Sequence, residues 1–284
     1  MMESVYQQSA LRSNLFVVWN ELIKNMKFLM AYPIIFVFWA VFPIFWFIPF
    51  IFQGQAFVGG LQSASFGQIT GTEEFIPFIV IGSVLNSYVN TLLYGMGESI
   101  RREALQGTLD YVLVAPTNKV YVLIGKALSE SLSSTMFAAS QLAISALLFG
   151  MNLTLGVMLP VFLIVILLIL GLYGLSLVLA AFSLLYKQSH DVSETIGYVF
   201  YVFSPVRYPL ESLPFWAQIF GKIIPLTYAL IIVRSIMLLG ASLSSLYFEL
   251  LALLAIDAVL IFAGFYLFNW MENKAKKSGA ISHY

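Results

Sequence analysis

The chain has 284 residues, of which 60% are hydrophobic and only 10% are charged, and its formal net charge at pH 7 is zero. In a soluble protein about a quarter of the residues are charged, because they cover its surface. Most of this chain is therefore expected to face lipid. The zero net charge gives no reason to expect a nucleic-acid partner. The absence of cysteine excludes disulfides, thiolate metal sites and cysteine nucleophiles.

Residues 1–31 are predicted to form an amphipathic helix. Apolar residues recur there with the spacing of one helix face, while the charged residues lie mainly off that face. The apolar positions are Leu11, Leu15, Val18, Leu22, Met26 and Leu29. A helix of this kind lies along a membrane surface instead of crossing the bilayer, so we expect residues 1–31 to form a cytoplasmic interfacial helix.

The rest of the chain, residues 32–284, is predicted to be a single transmembrane domain of an all-α integral membrane protein. A spanning helix needs about 20 mainly apolar residues. Six segments are predicted to span, at about 32–52, 75–97, 128–149, 157–186, 192–206 and 245–268. Prolines interrupt the apolar region after residue 192, so that region holds either two spans or one span followed by a re-entrant element.

The distribution of basic residues favours six spans, with a re-entrant helical element at 207–240 on the outer side. With six spans both termini lie on one face, and that face collects all but three of the 14 Lys and Arg residues. The exceptions are Arg207, Lys222 and Arg234. The positive-inside rule then places both termini in the cytoplasm of a multi-pass protein of the cell membrane.

A charged amphipathic helix is predicted at 98–116, between the second and third spans. Its apolar stripe consists of Ala104, Leu105, Leu109, Val112 and Leu113. Glu98 and Arg102 form a favourable i, i+4 pair, Gly107 weakens the helix, and Pro116 ends it. Such a helix can lie on the bilayer, pack on its own bundle or dock into the groove of a partner. The alternative is an ordinary solvated connector.

Five polar residues lie within the predicted spans and are candidates for the transport path. Asp257 is near the middle of the sixth span, where a charge is costly, so it is expected either to form structural hydrogen bonds or to serve the transport path or a dimer interface. Glu130 can pair with Lys126, which lies one turn earlier. The three amides, which are more often hydrogen-bonding partners between helices than ligand-binding groups, are Asn86, Asn90 and Gln141.

Two blocks of the sequence resemble the type-2 permeases of ATP-binding-cassette (ABC) exporters. The run "RREALQGTLDYVLVAPTNKVYVLIGKAL" is similar to the cytoplasmic segment of that family, through Gly107, Thr108, Leu109, Asp110, Pro116, Gly125 and Lys126. The run "RYPLESLPFWAQIFGKIIPLTYALIIVRSIML" is similar to the outer re-entrant region of the family. Its matching residues are Tyr208, Pro209, Leu213, Pro214, Pro225, Thr227, Tyr228 and Arg234.

The resemblance implies that 98–116 is a coupling helix seated in a groove of a separate ABC ATPase subunit. The residues implied in this contact are Glu98, Arg101, Arg102, Glu103, Leu105, Gly107, Thr108, Leu109, Asp110 and Pro116, with His190 and Asp191 as a second contact. Asp191 and Glu194 also have the spacing of a helix capping box. The sequence has no GxxxxGK[ST] motif, so ATP and Mg are expected in the partner and no cofactor is expected in this chain.

The implied assembly contains two ATPase subunits and two permeases, either two copies of this chain or this chain with a paralogue. Its substrate is expected to be hydrophobic or amphipathic: a drug-like molecule, a lipid or a lipid-linked glycan. The main alternative is a proton-coupled secondary carrier in which Asp257 or Glu130 titrates. An intramembrane hydrolase would need a nucleophile and a base at one depth, and neither His190 nor His283 is suitably placed.

Overall fold

The computed structural model describes residues 2–58, 64–95, 119–150, 153–185 and 189–278, together with positions 103, 105, 107, 111 and 114. This part of the chain is helical and contains no β-strand, as the all-α prediction requires. Four of its helices are long and apolar enough to cross a membrane, or five if one bent helix pair counts as a span. The predicted number of six spans therefore stays a prediction.

Ten α-helices make up the described structure. They are α1 (Met2–Ala31), α2 (Pro33–Gln53), α3 (Ala64–Thr70), α4 (Phe75–Gly95), α5 (Lys119–Phe149), α6 (Leu155–Leu185), α7 (Ser189–Phe203), α8 (Phe215–Gly221), α9 (Pro225–Leu239) and α10 (Tyr247–Ser278). A π-helical turn, Gly54–Val58, continues α2, and short 3₁₀ turns at Leu210–Ser212 and Leu243–Leu246 precede α8 and α10.

Helix α4 lies at the centre of the bundle. It packs against α5, α6, α7 and α9, and most of its residues are buried. Val80, Val89 and Leu92 have no solvent-exposed surface. Hydroxyl groups hold its neighbours in place, because the Tyr88 hydroxyl donates to Thr135 Oγ1 of α5 at 3.1 Å and Ser176 Oγ of α6 donates to the Leu92 carbonyl at 3.1 Å.

The most extensive helix pair consists of α6 and α10, which approach each other through glycines. A Cβ atom on Gly264 would lie 2.2 Å from the Gly174 carbonyl oxygen, and one on Gly174 would lie 2.4 Å from the Leu260 carbonyl carbon. Small residues permit this backbone approach, which replaces the hydrophobic effect as a packing force between helices in lipid.

Helix α1 packs along the first half of α5. A Cβ atom on Gly125 would lie 2.8 Å from Glu21 Cβ and 3.1 Å from the Val18 carbonyl oxygen, so the close approach of these helices requires glycine at 125. Asn25 Nδ2 donates to Ser129 Oγ at 3.4 Å across the same contact. One face of α1 is therefore attached to the bundle, and its position along a membrane surface stays a prediction.

The proline-rich region forms a sharp helical bend. Helices α8 and α9 meet at 90° across a break of three residues, and Pro225 occupies the first position of α9. Proline is favoured there because its missing N–H would be unpaired in any case. Pro214 similarly precedes α8 in an extended conformation. The interruption predicted from the prolines is thus present as a bent pair of helices.

Candidate functional site

A cavity of about 690 Å³ is bounded by α2, α4, α5 and α7. Helix α4 contributes Ser83, Asn86, Ser87, Asn90 and Tyr94, and α7 contributes Glu194, Gly197, Tyr198 and Tyr201. Phe42 of α2, Gln141 of α5, and Val206 and Arg207 after α7 complete the lining. Its volume is in the range of pockets that hold drug-sized molecules.

The cavity brings together the three amides predicted from sequence. Asn86, Asn90 and Gln141 line it from two helices. None of them makes a hydrogen bond between helices in the described part of the chain, and Asn86 Oδ1 is buried without a partner. In the described residues the side-chain hydrogen bonds between α4 and its neighbours come from hydroxyl groups, so the role of the three amides between helices stays a prediction.

Most of the lining lies on two helix faces that sequence reasoning did not combine. Positions 83, 86, 87, 90 and 94 repeat with three- and four-residue spacing, which places them on one side of α4. Positions 194, 197, 198 and 201 do the same on α7. The two helices approach at Gly197, where an added Cβ would lie 3.4 Å from Asn90 Oδ1. The spacing of these residues predicts that each set lies on one helix face. The sequence does not show that the two faces meet.

Two charged groups line the cavity, Glu194 near the start of α7 and Arg207 just after the other end of that helix. The carboxylate of Glu194 accepts a hydrogen bond from the Tyr198 hydroxyl at 3.2 Å. At the other end, the guanidinium carbon of Arg207 lies 4.9 Å from the centre of the Tyr201 ring. Helix α7 begins at Ser189, so Asp191 lies within its first turn and the predicted capping box with Glu194 does not form. The reason is that α7 is already helical from Ser189, whereas a cap at Asp191 requires the helix to start at residue 192.

Arg234 forms the most connected polar contact in the described structure. It is 7% exposed, and its Nη2 donates to the carbonyl oxygens of Phe78 and Val206, at 2.8 Å each. Nε also donates to Phe78, at 3.2 Å, and Nη1 donates to the Pro205 carbonyl. The guanidinium carbon lies 3.4 Å from the centre of the Phe78 ring. Arg234 therefore joins α9, the start of α4 and the segment that follows α7.

Gly82 makes the Arg234 contact possible. A Cβ atom at this position would lie 1.9 Å from the Val206 carbonyl oxygen and 2.7 Å from Arg234 Nη2. Any other residue would separate α4 from the segment after α7. The family resemblance indicated Arg234 but not Gly82, since an isolated glycine in an apolar helix has no distinctive pattern.

The other residues of the predicted re-entrant motif mainly shape the backbone. The Tyr208 hydroxyl donates to the Val202 carbonyl, and burial raises the pKa of Tyr208 above its ordinary value. Pro209 precedes a 3₁₀ turn, and the Leu213 carbonyl accepts a hydrogen bond from Gln218 Nε2 at 2.8 Å. Thr227 is fully buried and Tyr228 is partly buried, both in the first turn of α9.

Asp257 of α10 is 4% exposed and faces α6. A Cβ atom on Gly171 would lie 1.8 Å from Asp257 Oδ1, so the carboxyl group occupies the space that glycine leaves open. Neither carboxyl oxygen has a hydrogen-bond partner among the described residues. Of the two roles expected for Asp257, structural hydrogen bonding has no partner within the described residues, and the choice between that role and the transport path or a dimer interface stays open. Glu130 lies elsewhere, against Gly95 at the end of α4.

The predicted coupling segment is described at only five positions. Leu105, Tyr111 and Val114 are strongly exposed, whereas Glu103 forms a salt bridge with Lys126 of α5. Gly107 has a φ angle of +70°, which a right-handed helix cannot contain, so the predicted single helix is interrupted there. The other residues predicted for this contact lie outside the described residues: Glu98, Arg101, Arg102, Thr108, Leu109, Asp110 and Pro116.

The second predicted contact, His190 and Asp191, is exposed at the start of α7. The centre of the His190 ring lies 5.8 Å from that of Tyr94 at the end of α4. This places the two residues beside one end of the cavity. Among the described residues, no group of three or more potential metal ligands is present.

Comparison with known proteins agrees with this architecture. The family model described as "ABC-2 type transporter" matches residues 32–238. The "Probable multidrug ABC transporter permease YbhR" of Escherichia coli strain K12 is 32% identical over 178 residues, as is its counterpart in E. coli O157:H7. Each alignment covers 60% of this chain and 46% of the relative, so it spans about half of that protein's length. With its apolar helices and a family match over most of its length, the chain is a multi-pass membrane protein that belongs to the ABC-2 type transporter family.

Proposed function

We propose that this chain is the membrane-spanning permease subunit of an ATP-driven ABC exporter, and that it moves a hydrophobic or amphipathic substrate through the cavity between α2, α4, α5 and α7. The single observation that carries the proposal is the polar and aromatic lining of that cavity within an apolar helical bundle. Polar side chains are costly at membrane depth unless they face water, protein or a substrate. Family membership supports the transport role.

The energy source in this proposal is a separate ABC ATPase, which docks on the segment between α4 and α5. Three apolar side chains of that segment, Leu105, Tyr111 and Val114, are exposed and available to a partner. The salt bridge between Glu103 and Lys126 connects the segment to α5. Gln141 of the cavity lies fifteen residues further along α5, which is about 22 Å in an α-helix. A displacement of the segment would therefore reach the cavity through a single rigid helix.

The membrane arrangement is part of the same proposal. Both termini and the coupling segment face the cytoplasm, and the bent pair of α8 and α9 lies on the outer side as a re-entrant element. Two permeases, as a homodimer or with a paralogue, assemble with two ATPase subunits. The excess of basic residues on the proposed cytoplasmic face supports this orientation.

The experiment that tests the proposal measures nucleotide-dependent transport in proteoliposomes that contain the chain with its copurified ATPase. Asn90→Trp should block transport because its larger side chain fills the cavity, while assembly with the ATPase is retained. Leu163→Trp is the matched control, since Leu163 is exposed on α6 and does not line the cavity. Equal transport by both variants would show that the cavity is not the path.

One observation supports a proton-coupled secondary carrier as the second candidate function. Asp257 is buried and its carboxyl oxygens have no partner in the described part of the chain, as a proton-binding carboxyl group would require between transport steps. In that case flux would follow a pH gradient without ATP, and Asp257→Asn would abolish it. Flux that requires ATP and ignores an ionophore would exclude this function.

A further inference from the structure

Along α7, the lining of the proposed transport cavity runs from the acid Glu194 past the rings of Tyr198 and Tyr201 to the cation Arg207, which lies just after the end of the helix. From this arrangement we infer that the cavity takes lipophilic organic cations, with the positive group seated beside Glu194. The inference rests on the proposed function, because it names the substrate class of the same cavity.

Glu194 is the group that would pair with a positive charge. Its carboxylate lines the cavity near the start of α7, and its hydrogen bond comes from the Tyr198 hydroxyl. No basic side chain within the described ranges forms a salt bridge with it. Glu194 is half-buried, and a carboxylate whose hydrogen bond comes from a hydroxyl group can still pair with a cation. The attraction is stronger beside the apolar side chains of the cavity wall than in bulk water.

The rings of the cavity also favour a cation over an anion. Tyr94, Tyr198 and Tyr201 line it from α4 and α7, and Phe42 lines it from α2. The face of an aromatic ring carries negative electrostatic potential, so it attracts cations and repels anions. Asn86 adds a buried Oδ1 acceptor without a partner. Because rings and amides accept many shapes, charge and apolar area would decide what binds.

The cation at the other end determines where the positive group rests. Arg207 already lies over the ring of Tyr201, at 4.9 Å, so part of its charge is compensated within the protein. Glu194 and the end of α7 at Phe203 are nine residues apart, which is about 14 Å of helix. A bound cation is therefore attracted to the Glu194 end and repelled from the Arg207 end. In the proposed orientation, the Arg207 end faces outward, where weaker binding favours release.

The test uses two ions of matched size and opposite charge, tetraphenylphosphonium and tetraphenylborate. Binding of each to the full-length chain in nanodiscs is measured by flow dialysis, with empty nanodiscs as the correction for partition into lipid. We expect tetraphenylphosphonium to bind more tightly than tetraphenylborate by at least roughly tenfold. Glu194→Gln should weaken tetraphenylphosphonium binding by about tenfold, and Glu194→Asp should restore most of it.

Glu249→Gln is the control for these variants, because it makes the same chemical change in the first turn of α10, outside the cavity. Size-exclusion profiles identify any variant that fails to fold, and Glu194→Asp then provides the comparison. Equal affinity for the two ions, or unchanged tetraphenylphosphonium binding in Glu194→Gln, would overturn the inference. If the two ions bind equally to the wild-type chain and Asn90→Trp removes the binding of both, only the inferred preference for cations fails. If Asn90→Trp leaves both affinities intact, the proposed transport path fails as well.

Discussion

Replacing Arg234 by methionine should destabilise the protein more than any substitution of an exposed charge. Methionine keeps much of the apolar volume but removes every hydrogen bond from the guanidinium group. The carbonyl of Phe78 still has its helical partner, whereas those of Pro205 and Val206 lose their charged donor. The contact between the guanidinium and the Phe78 ring is lost at the same time.

The expected magnitude follows from these contacts. Two buried carbonyls without a donor cost about 2–6 kcal/mol, and the lost cation–π contact adds about 1–2 kcal/mol. Burying the guanidinium also costs the wild type its hydration, and methionine avoids this cost, which offsets a few kcal/mol. We therefore expect a net loss of about 3 kcal/mol in the free energy of unfolding, which lowers the unfolding temperature by about 6 °C or more.

Thermal unfolding of the detergent-solubilised chain, followed by tryptophan fluorescence, measures this effect. Lys222→Met is the matched control, because Lys222 is an exposed cation of the same bent helix pair. Gly82→Ala tests the contact from the α4 side, since its Cβ would meet the Val206 carbonyl oxygen at 1.9 Å. An unfolding temperature for Arg234→Met equal to that of Lys222→Met would refute the reasoning.

Three further predictions concern other contacts. Asp257→Leu, which is nearly isosteric, should fold and unfold at a higher temperature than the wild type, because it removes a buried carboxyl group that has no partner in the described structure; a lower unfolding temperature would point to an unseen hydrogen bond. Leu105→Glu should weaken the affinity for the ATPase, measured by copurification, by about 30-fold, or about 2 kcal/mol. Unchanged binding would indicate that the segment is an ordinary solvated connector. Gly125→Leu should displace α1 from α5 and expose Glu21 to deuterium exchange, whereas Gly156→Leu, with open space at its Cβ, should not.

The helical architecture could be predicted from sequence because lipid imposes strong constraints on it. Long apolar segments must be helical to satisfy their backbone groups, so composition alone indicated an all-α membrane protein. Prolines likewise indicated the interruption that the structure shows between α8 and α9. Helix ends were less predictable than spans, since α5 begins at Lys119, before the predicted span at about 128–149. A helix can continue through polar residues beyond the membrane surface. The length of an apolar segment therefore does not show where its helix begins or ends.

The site was only partly predictable, because a sequence records polar residues but not the groups they meet. Arg234 was counted among the basic residues of the outer side, yet it is buried between backbone carbonyls. Its partners belong to segments that lie 28 and 156 residues away along the chain. Glu194 was assigned to a helix cap, whereas it lies in the second turn of α7 and lines the cavity. In both cases the missing information was the neighbouring helix.

Helix α7 connects the proposed ATPase contact, the cavity and the Arg234 contact within 15 residues. It starts beside His190, contributes Glu194 and Tyr201 to the cavity, and ends where Arg234 holds the following carbonyls. A helix of this length behaves as a rigid body, so a force applied at its start can change the cavity only if its other end is held. Loss of the Arg234 contact would leave α7 free to move as a whole. Arg234→Met should then retain ATP hydrolysis but lose transport, at temperatures where the variant is still folded.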